Sequence, residues 1–501
     1  MMLIRTAYFL LLLTNVAAGQ RGPVDLILIN GDVRTLERAK PRAEAVAVSG
    51  GVIVAVGTNR KVRALAGELT RVVDAKGKLV LPGFNDAHVH FAAIGNKFSS
   101  IDLRSVRSPP EMAVKLSEYA RFLPKGRWIL GGGFDPNLVT GESGQLRRLV
   151  DEITPDNPVF VYSADARSAF ANGVALAKAR ITKATFDPTG GSIGRDSGEL
   201  SGMLTGSAIR LIAGLVPADH TKNWPEIIET ATNYAASHGV TSVQDMHSDE
   251  LADVYRQLDR AGKLKTRVYD CSPMSAASKL AADGVKAAAG DAMVRIGCIK
   301  YFSEGDEAEV PQLRRDIAAA DRAGLQVMIH AIGPRANAIV MDAFEWMAKA
   351  NGPRDRRFRI EHAQNAATED LPRFARSGII ASMQPWLFNG TNPAVYKRHL
   401  ELGTRLAFGS DASIVELNPL LGIYAATQGP GAISVEDAIQ AYTVGAAFAE
   451  FQEKVKGTLA VGMVADFVIL GRDIFAMPVT EISNVAVVAT YVDGKEVFAS
   501  K

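Results

Sequence analysis

Cysteine is almost absent from this chain of 501 residues: Cys271 and Cys298 are the whole supply, too few for a fold stapled by a disulfide framework. As buried thiols they would be inert packing residues. An excess of one charge is missing too, because 56 Lys and Arg face 54 Asp and Glu, a formal charge of +2. That balance leaves no basic footprint for a nucleic-acid partner. Nowhere does the chain supply the roughly 20 consecutive apolar residues that a membrane span needs. What it has is core material: 47% apolar and 22% charged residues, the proportions of an ordinary globular protein. The length permits two to four domains at about 100–200 residues each, or a single α/β barrel of about 250 residues with additions.

The start of the chain reads as an export signal, with Arg5 as the positive start, Ala7 to Leu13 as the apolar run and Val16-Ala17-Ala18-Gly19 as a small-residue cleavage site. Residues 1–19 are thus expected to be removed, leaving a mature chain that begins near Gly19 or Gln20. The expectation is a secreted protein, periplasmic or extracellular, with no stable membrane span after cleavage. An uncleaved anchor is the weaker reading, since the apolar run is too short.

From Val24 to Val80 β-branched and polar residues alternate between turn signals: Val24 to Ile29, Ala45 to Val48, Ile53 to Val56 and Val72 to Val80. The far end repeats the texture in Asp466 to Leu470 and Val485 to Val492, with Asp493-Gly494 turning into Lys495 to Phe498. Both ends are expected to build one composite β-sandwich, residues 22–82 with 455–501. Between them, over 83–454, apolar strands alternate with helical stretches: Leu81 to Phe91, Val240 to His247, Thr266 to Cys271, Val294 to Phe302, Leu325 to Ala331, Arg359 to Ala363, Ile379 to Gln384 and Arg405 to Asp411. Eight such strands are the number that closes a (β/α)8 TIM-like barrel, whose chemistry sits at the carboxyl ends of the strands. The stretch from about 92 to 225 is too long for one crossover and carries its own strands, Trp128 to Phe134 and Pro158 to Ala164. It reads as an inserted α/β subdomain placed to roof the active site. Gly131-Gly132-Gly133 and Gly190-Gly191 lack the surroundings of a phosphate loop and read as turns.

The polar residues at the strand ends carry the chemistry. His88 and His90 are two apart on a strand, so both imidazoles face one side, the barrel interior. His330 and His362 each end a further strand, so half of the eight histidines converge on one mouth. Singly each is a satisfied core histidine; together they are a donor set for Zn²⁺. Asp411, closing the eighth strand, can bind a metal and take a proton from water, or cap the next helix. Lys300 is in phase with Ile296 and Cys298 and should share their inward direction. A bare buried ammonium is costly, which leaves a salt bridge to Glu304 or Asp306, or carbamylation by carbon dioxide into an anionic ligand.

The order Asp86-x-His88-x-His90, Lys300, His330, His362, Asp411 resembles the metal-dependent amidohydrolase superfamily. Finer text, Pro82-Gly83-Phe84-Asn85-Asp86-Ala87-His88, Gly133-Phe134-Asp135-Pro136, His330-Ala331-Ile332-Gly333, Glu361-His362-Ala363-Gln364, Ala381-Ser382-Met383-Gln384-Pro385 and Phe408-Gly409-Ser410-Asp411, is similar to its amidohydrolase 3 branch, which includes N-substituted formamide deformylase and YtcJ-like proteins. The resemblance runs from about Val24 to Phe498. It implies a metal-bearing barrel in which His88 and His90 hold the more buried ion, a carboxylated Lys300 bridges to a second ion on His330 and His362, and Asp411 is ligand and proton shuttle. With Lys300 unmodified, the same set implies a single ion.

The text departs from the family near the expected substrate pocket. Pro334 stands where relatives usually carry Asp, Asp165-Ala166-Arg167 replaces Asp-Gly-His, and Ser303-Glu304-Gly305-Asp306 replaces the usual Asp-Gly after the lysine. Arg167 could grip a substrate carboxylate or form a surface ion pair; Trp386 and Phe388 could wall a pocket or pack the core. Gln384 and Asp135 complete the expected substrate-binding residues. The expected reaction is hydrolysis of a non-peptide C–N bond, in an amide, N-acyl group or cyclic amide of a small molecule, by water activated on a divalent metal, with zinc, manganese, iron and cobalt all suited to these donors. The same ligands could serve an isomerase, lyase or decarboxylase, and a non-catalytic exported binding protein is the remaining class. An oligomer of identical chains is compatible with these features.

Overall fold

The computed structural model describes residues 24–139, 143–217, 223–246, 251–388, 394–429 and 431–500. The expected export signal and His247 lie outside them. Among the described residues no helix is long and apolar enough to cross a membrane.

Eight parallel strands follow one another in chain order around a nearly closed barrel: Phe84–Val89, Val240–Met246, Arg267–Pro273, Val294–Ser303, Gln326–Ala331, Arg359–Glu361, Ile380–Met383 and Leu406–Phe408. These are the eight segments expected from the sequence. Buried on both faces, they read as near-continuous apolar runs, and all seven residues of Val240–Met246 are buried. Their outer face packs on the crossover helices, with Val243, Val268, Ile299 and Val327 meeting Ile228, Leu313, Ile317 and Val340 in the main core. The ring shuts where the Asp411 N–H donates to the His88 carbonyl at 2.7 Å and the His90 N–H to the Ala412 carbonyl at 2.5 Å.

Inside the barrel, Met246, Tyr269, Cys271, Cys298 and Met328 form a packed apolar layer. Cys271 and Cys298 stand directly opposite each other on the third and fourth strands, with Cα atoms 4.6 Å apart, and are joined as a disulfide. The expectation of inert thiols is thereby corrected. Their separation of 27 residues in sequence conceals a pair that strand register makes adjacent. A second correction concerns phase. Tyr269 opposes Arg295 and Cys271 opposes Cys298, so the fourth strand carries one extra residue, a bulge at Ile296 and Gly297. Arg295, rather than Ile296, therefore shares the inward side with Cys298 and Lys300, and its guanidinium meets the buried carboxylate of Glu450, which also accepts from Asn85 at 2.6 Å and pairs with Lys456 at 2.8 Å.

The two ends of the chain build a pair of sheets. One runs Val52–Gly57, Ala45–Ser49, Leu26–Ile29, Arg71–Asp74; the other runs Lys495–Ala499, Val487–Val492, Phe467–Leu470, Leu79–Pro82, Asp32–Arg34, Arg42–Ala43. The expected single strand from Val72 to Val80 is two strands in different sheets, because Lys76 and Gly77 take left-handed backbone and turn the chain between them.

The inserted segment forms a separate six-stranded sheet. Ile101–Asp102, Ile129–Phe134 and Val159–Ser163 are parallel; Ser168–Ala171, Glu199–Gly206 and Gly191–Asp196 extend it antiparallel. The expected turn at Gly131-Gly132-Gly133 is instead strand. A Cβ on Gly131 would lie 2.2 Å from the Ile101 carbonyl oxygen and one on Gly132 2.1 Å from that of Tyr162, so glycine is needed there for the close approach of neighbouring backbones.

Candidate metal centre

The six expected ligands stand on or just beyond barrel strands, and three of them form a close group. One ligand atom from each of His88, His90 and Asp411 lies within 4.8 Å of the other two. Asp411 Oδ1 stands 3.2 Å from His90 Nε2 and 3.5 Å from His88 Nε2, and its Oδ2 stands 3.9 Å from His362 Nε2. The His362 ring centroid is 4.9 Å from that of His88 and 4.5 Å from that of His330. Lys300 Nζ lies 5.0 Å from the ring centre of Phe302, which in turn packs 5.2 Å from His330. The expected salt bridge from Lys300 to Glu304 or Asp306 is not formed among the described residues, and Nζ has no hydrogen-bond partner.

The surroundings favour uncharged nitrogen donors. Burial, helped by the nearby Lys300, lowers the His88 imidazole to about 4. Burial and the His88 ring lower His362 to about 2, and burial also lowers His330. Burial likewise lowers Lys300 to about 8. For Asp411 burial pushes the carboxyl up, but contact with His90 and then the other imidazoles outweighs it and leaves the group at about 2. His88, His330 and His362 are thus held as neutral imidazoles beside an ionised Asp411 at neutral pH, the protonation that metal binding requires.

Several of these atoms are orphaned. Among the described residues His88 Nε2, His362 Nδ1 and Lys300 Nζ are buried without a hydrogen-bond partner. Unpaired buried polar groups cost about 1–3 kcal/mol each. A donor set of closely spaced imidazole and carboxylate fits a divalent cation. Backbone strain points to the same place: His362 and Asp411 both hold left-handed conformations, with φ of 65° and 59°. Such non-glycine conformations cost on the order of 1–3 kcal/mol and persist where surrounding structure enforces them. Asp411 does not serve as a helix cap; the next helix, Pro419–Ala426, is capped by Asn418.

Three supporting groups were given no role from the sequence, although Asp86 and Glu361 stand in the quoted motifs. Glu361 accepts a hydrogen bond from His88 Nδ1 at 2.6 Å, and Arg359 grips the same carboxylate from the other side. Asp86 Oδ1 accepts from the backbone N–H of Ser410 at 2.9 Å and of His88 at 3.1 Å, tying the first strand to the eighth; burial raises its carboxyl to about 7. The signal for Glu361 and Asp86 was their place beside metal-type histidines; Arg359 had none, since its partners come from four strands.

The expected substrate residues divide. Gln384 is buried at the end of the seventh strand, and neither atom of its carboxamide has a partner among the described residues. Trp386 is half-buried with its ring 6.3 Å from Tyr424, and Phe388 packs 5.8 Å from His362. Arg167 is exposed in the turn between Val159–Ser163 and Ser168–Ala171, where Asp165 accepts its backbone N–H. Asp135 is exposed and accepts the Asn137 N–H. Among the described residues no hydrogen bond, ion pair or ring contact joins Arg167 or Asp135 to the histidine cluster.

This barrel and its converging donors define a metal-dependent hydrolase fold. Residues 71–498 match the model of the amidohydrolase family, and the chain belongs to that family. It is 32% identical to the protein LONG AFTER FAR-RED 3 of Arabidopsis thaliana over 95% of this chain and 91% of that protein. It is 28% identical to the N-substituted formamide deformylase of Arthrobacter pascens, over 94% of this chain and 97% of that enzyme. Among solved structures, an uncharacterized metal-dependent hydrolase from Pyrococcus furiosus superposes with a TM-score of 0.60 at 25% identity, covering 90% of this chain and 99% of that one.

Proposed function

We propose that this chain is an exported hydrolase that cleaves the C–N bond of an uncharged small-molecule amide, N-acyl compound or cyclic amide with the help of a bound divalent metal, zinc in the first instance. The observation that carries the reading is the convergence of His88, His90 and Asp411, with His330, His362 and Lys300 around them, at the chemically active end of the barrel. His88, His90 and Asp411 would hold one ion, and His330 and His362 a second if Lys300 bridges them. When bound, the metal supplies Lewis-acid polarisation of a carbonyl and acidifies water, whose pKa drops from about 15.7 toward 7.

The chain's own residues do the rest. Asp411, ionised at neutral pH, accepts the proton of the attacking water and returns it to the departing nitrogen, so no strong acid is needed to expel the amine. Lys300 is poised for carbamylation: the ammonium gives up one proton, the freed lone pair attacks carbon dioxide, an N–C bond forms, a second proton leaves, and a buried cation becomes an anion that faces the imidazoles. Burial and its unpartnered Nζ support that step. Gln384 offers an unpaired carboxamide to the substrate amide, and Trp386, Phe388 and the half-exposed Phe302 offer apolar wall beside the histidines. This lining favours a neutral, apolar substituent; Arg167 is the one expected group suited to an acidic one.

Export is part of the proposal. The apolar start of residues 1–19 and the disulfide between Cys271 and Cys298 both suit an oxidising compartment. The test is a metal count per chain coupled to a screen of formamides, N-acyl amino acids and cyclic imides in ¹⁸O-water. One or two zinc ions per chain with ¹⁸O in the released acid supports the reading. A metal-free protein, or a product without water oxygen, refutes it.

A further inference from the structure

Among the described residues Arg359 is the largest wholly buried side chain, and its guanidinium bonds to groups on several barrel strands. Its Nε lies 2.8 Å from Glu361 Oε1 and its Nη2 3.1 Å from Glu361 Oε2, a two-point grip on one carboxylate. Nη2 also reaches the Ala87 carbonyl at 2.6 Å and Ser382 Oγ at 3.0 Å, while Nη1 donates to Gln244 Oε1. One side chain of the sixth strand therefore touches the first, second and seventh. Glu361 passes this hold on: its Oε2 is 2.6 Å from His88 Nδ1. A carboxylate gripped by a guanidinium can only accept a hydrogen bond, so Nδ1 carries the proton and Nε2 carries the lone pair. That lone pair is on the side of Asp411, 3.5 Å away.

We propose that Arg359 and Glu361 are positioning residues that lock His88 as the Nδ1–H tautomer and fix its ring on the cation site, Arg359 acting through Glu361 and through the Ala87 carbonyl one residue before His88. The inference rests on His88 being a metal ligand, the reading proposed above, but its tautomer half stands without metal. Carboxylates behind ligating histidines raise metal affinity about 10- to 100-fold. In Glu361→Gln the amide can turn its NH₂ toward Nδ1, which puts the proton on Nε2 and blocks the lone pair that faces the site.

The experiment compares wild type, Glu361→Gln and Arg359→Lys by long-range ¹H–¹⁵N correlation of histidine-labelled, metal-free protein, and by zinc affinity in competition with a chromophoric chelator. The wild type is expected to show His88 protonated on Nδ1. Glu361→Gln is expected to move His88 toward the Nε2–H form and to bind zinc about 10- to 100-fold more weakly. Arg359→Lys keeps the buried charge, loses the two-point grip, and is expected to show a mixture of tautomers with an intermediate affinity. Should Glu361→Gln fail to fold, Arg359→Lys carries the test. Retention of Nδ1–H in the variants, or zinc loss without a tautomer change, overturns the proposal. A tautomer shift in a protein that never binds zinc would leave the positioning role intact and sink the metal-centre reading instead.

Discussion

Gly409 marks the seam of the barrel, and the structure says what a single methyl group there would do. A Cβ at this position would fall 2.4 Å from the His88 backbone nitrogen, 2.7 Å from Asp86 Oδ1 and 2.9 Å from the His88 Cβ, where ordinary contact is 3.4–4 Å. Gly409 is not in the left-handed region, so alanine is conformationally acceptable and the whole penalty is steric. None of the three atoms can swing aside: one is backbone, one is a buried carboxylate fixed by two N–H donors, and one is the root of a ligand-type histidine. The eighth strand must therefore retreat by about 1 Å, which costs roughly 1–3 kcal/mol as overpacking. That movement stretches the Asp411 N–H to His88 carbonyl bond and the 3.5 Å spacing between His88 and Asp411. A displacement of that size can cost about a hundredfold in turnover. Gly409→Ala should thus unfold at lower urea, bind zinc more weakly and lose about two orders of magnitude in kcat/KM on any amide the wild type cleaves. Urea titration, chelator competition and steady-state kinetics read the three effects. A variant that keeps wild-type stability and zinc affinity would show that the first and eighth strands do not need this contact.

Asp411→Asn should retain zinc through the histidines while kcat falls about 10²- to 10⁴-fold, the usual share of a general base; unchanged turnover would remove Asp411 from proton transfer. In a wild type that carries two ions, Lys300→Met should lower the count to one by elemental analysis, and a count that stays at two would exclude a bridging role. Replacing Cys271 and Cys298 together by alanine removes a cross-link across 27 residues and should cost about 3–4 kcal/mol in the chain-entropy account, read as a lower urea midpoint under oxidising conditions. His399, buried against Phe374 with both ring nitrogens unpartnered among the described residues, is lowered by burial from 6.5 to about 4. Between those pH values the unfolded chain binds the extra proton, so this group's contribution to stability is lost as pH falls from 6.5 toward 4 and is fully present above 6.5. His399→Phe should flatten that acid slope; an equal slope would place the acid sensitivity elsewhere.

Much of the architecture was readable because its signals are local and periodic. Eight apolar segments flanked by helical stretches located all eight barrel strands, and ligand-type residues stood at their carboxyl ends. What escaped depends on register, which sequence spacing does not encode. The disulfide joins residues that are neighbours only after a crossover. The bulge at Ile296 and Gly297 changes which side chain of the fourth strand faces inward. Gly131 and Gly132 carry a turn-like signature yet lie within a strand, because the constraint on them comes from the flanking chains. Arg359 was invisible for the same reason: an arginine on a short strand gains its role only from the three other strands it reaches.

The sandwich has one consequence for how the molecule is made. Leu79–Pro82 sits in the middle of a sheet, flanked by Asp32–Arg34 and by Phe467–Leu470, and Arg267 of the barrel is clamped there by Asp466 at 2.7 Å and by Asp493. While the ribosome works through the barrel at roughly 5–20 residues per second, this apolar strand waits on the order of half a minute with one edge bare. The nascent chain thus carries one unpaired strand edge until Phe467–Leu470 emerges, and for that interval the edge is a template for pairing with the wrong chain.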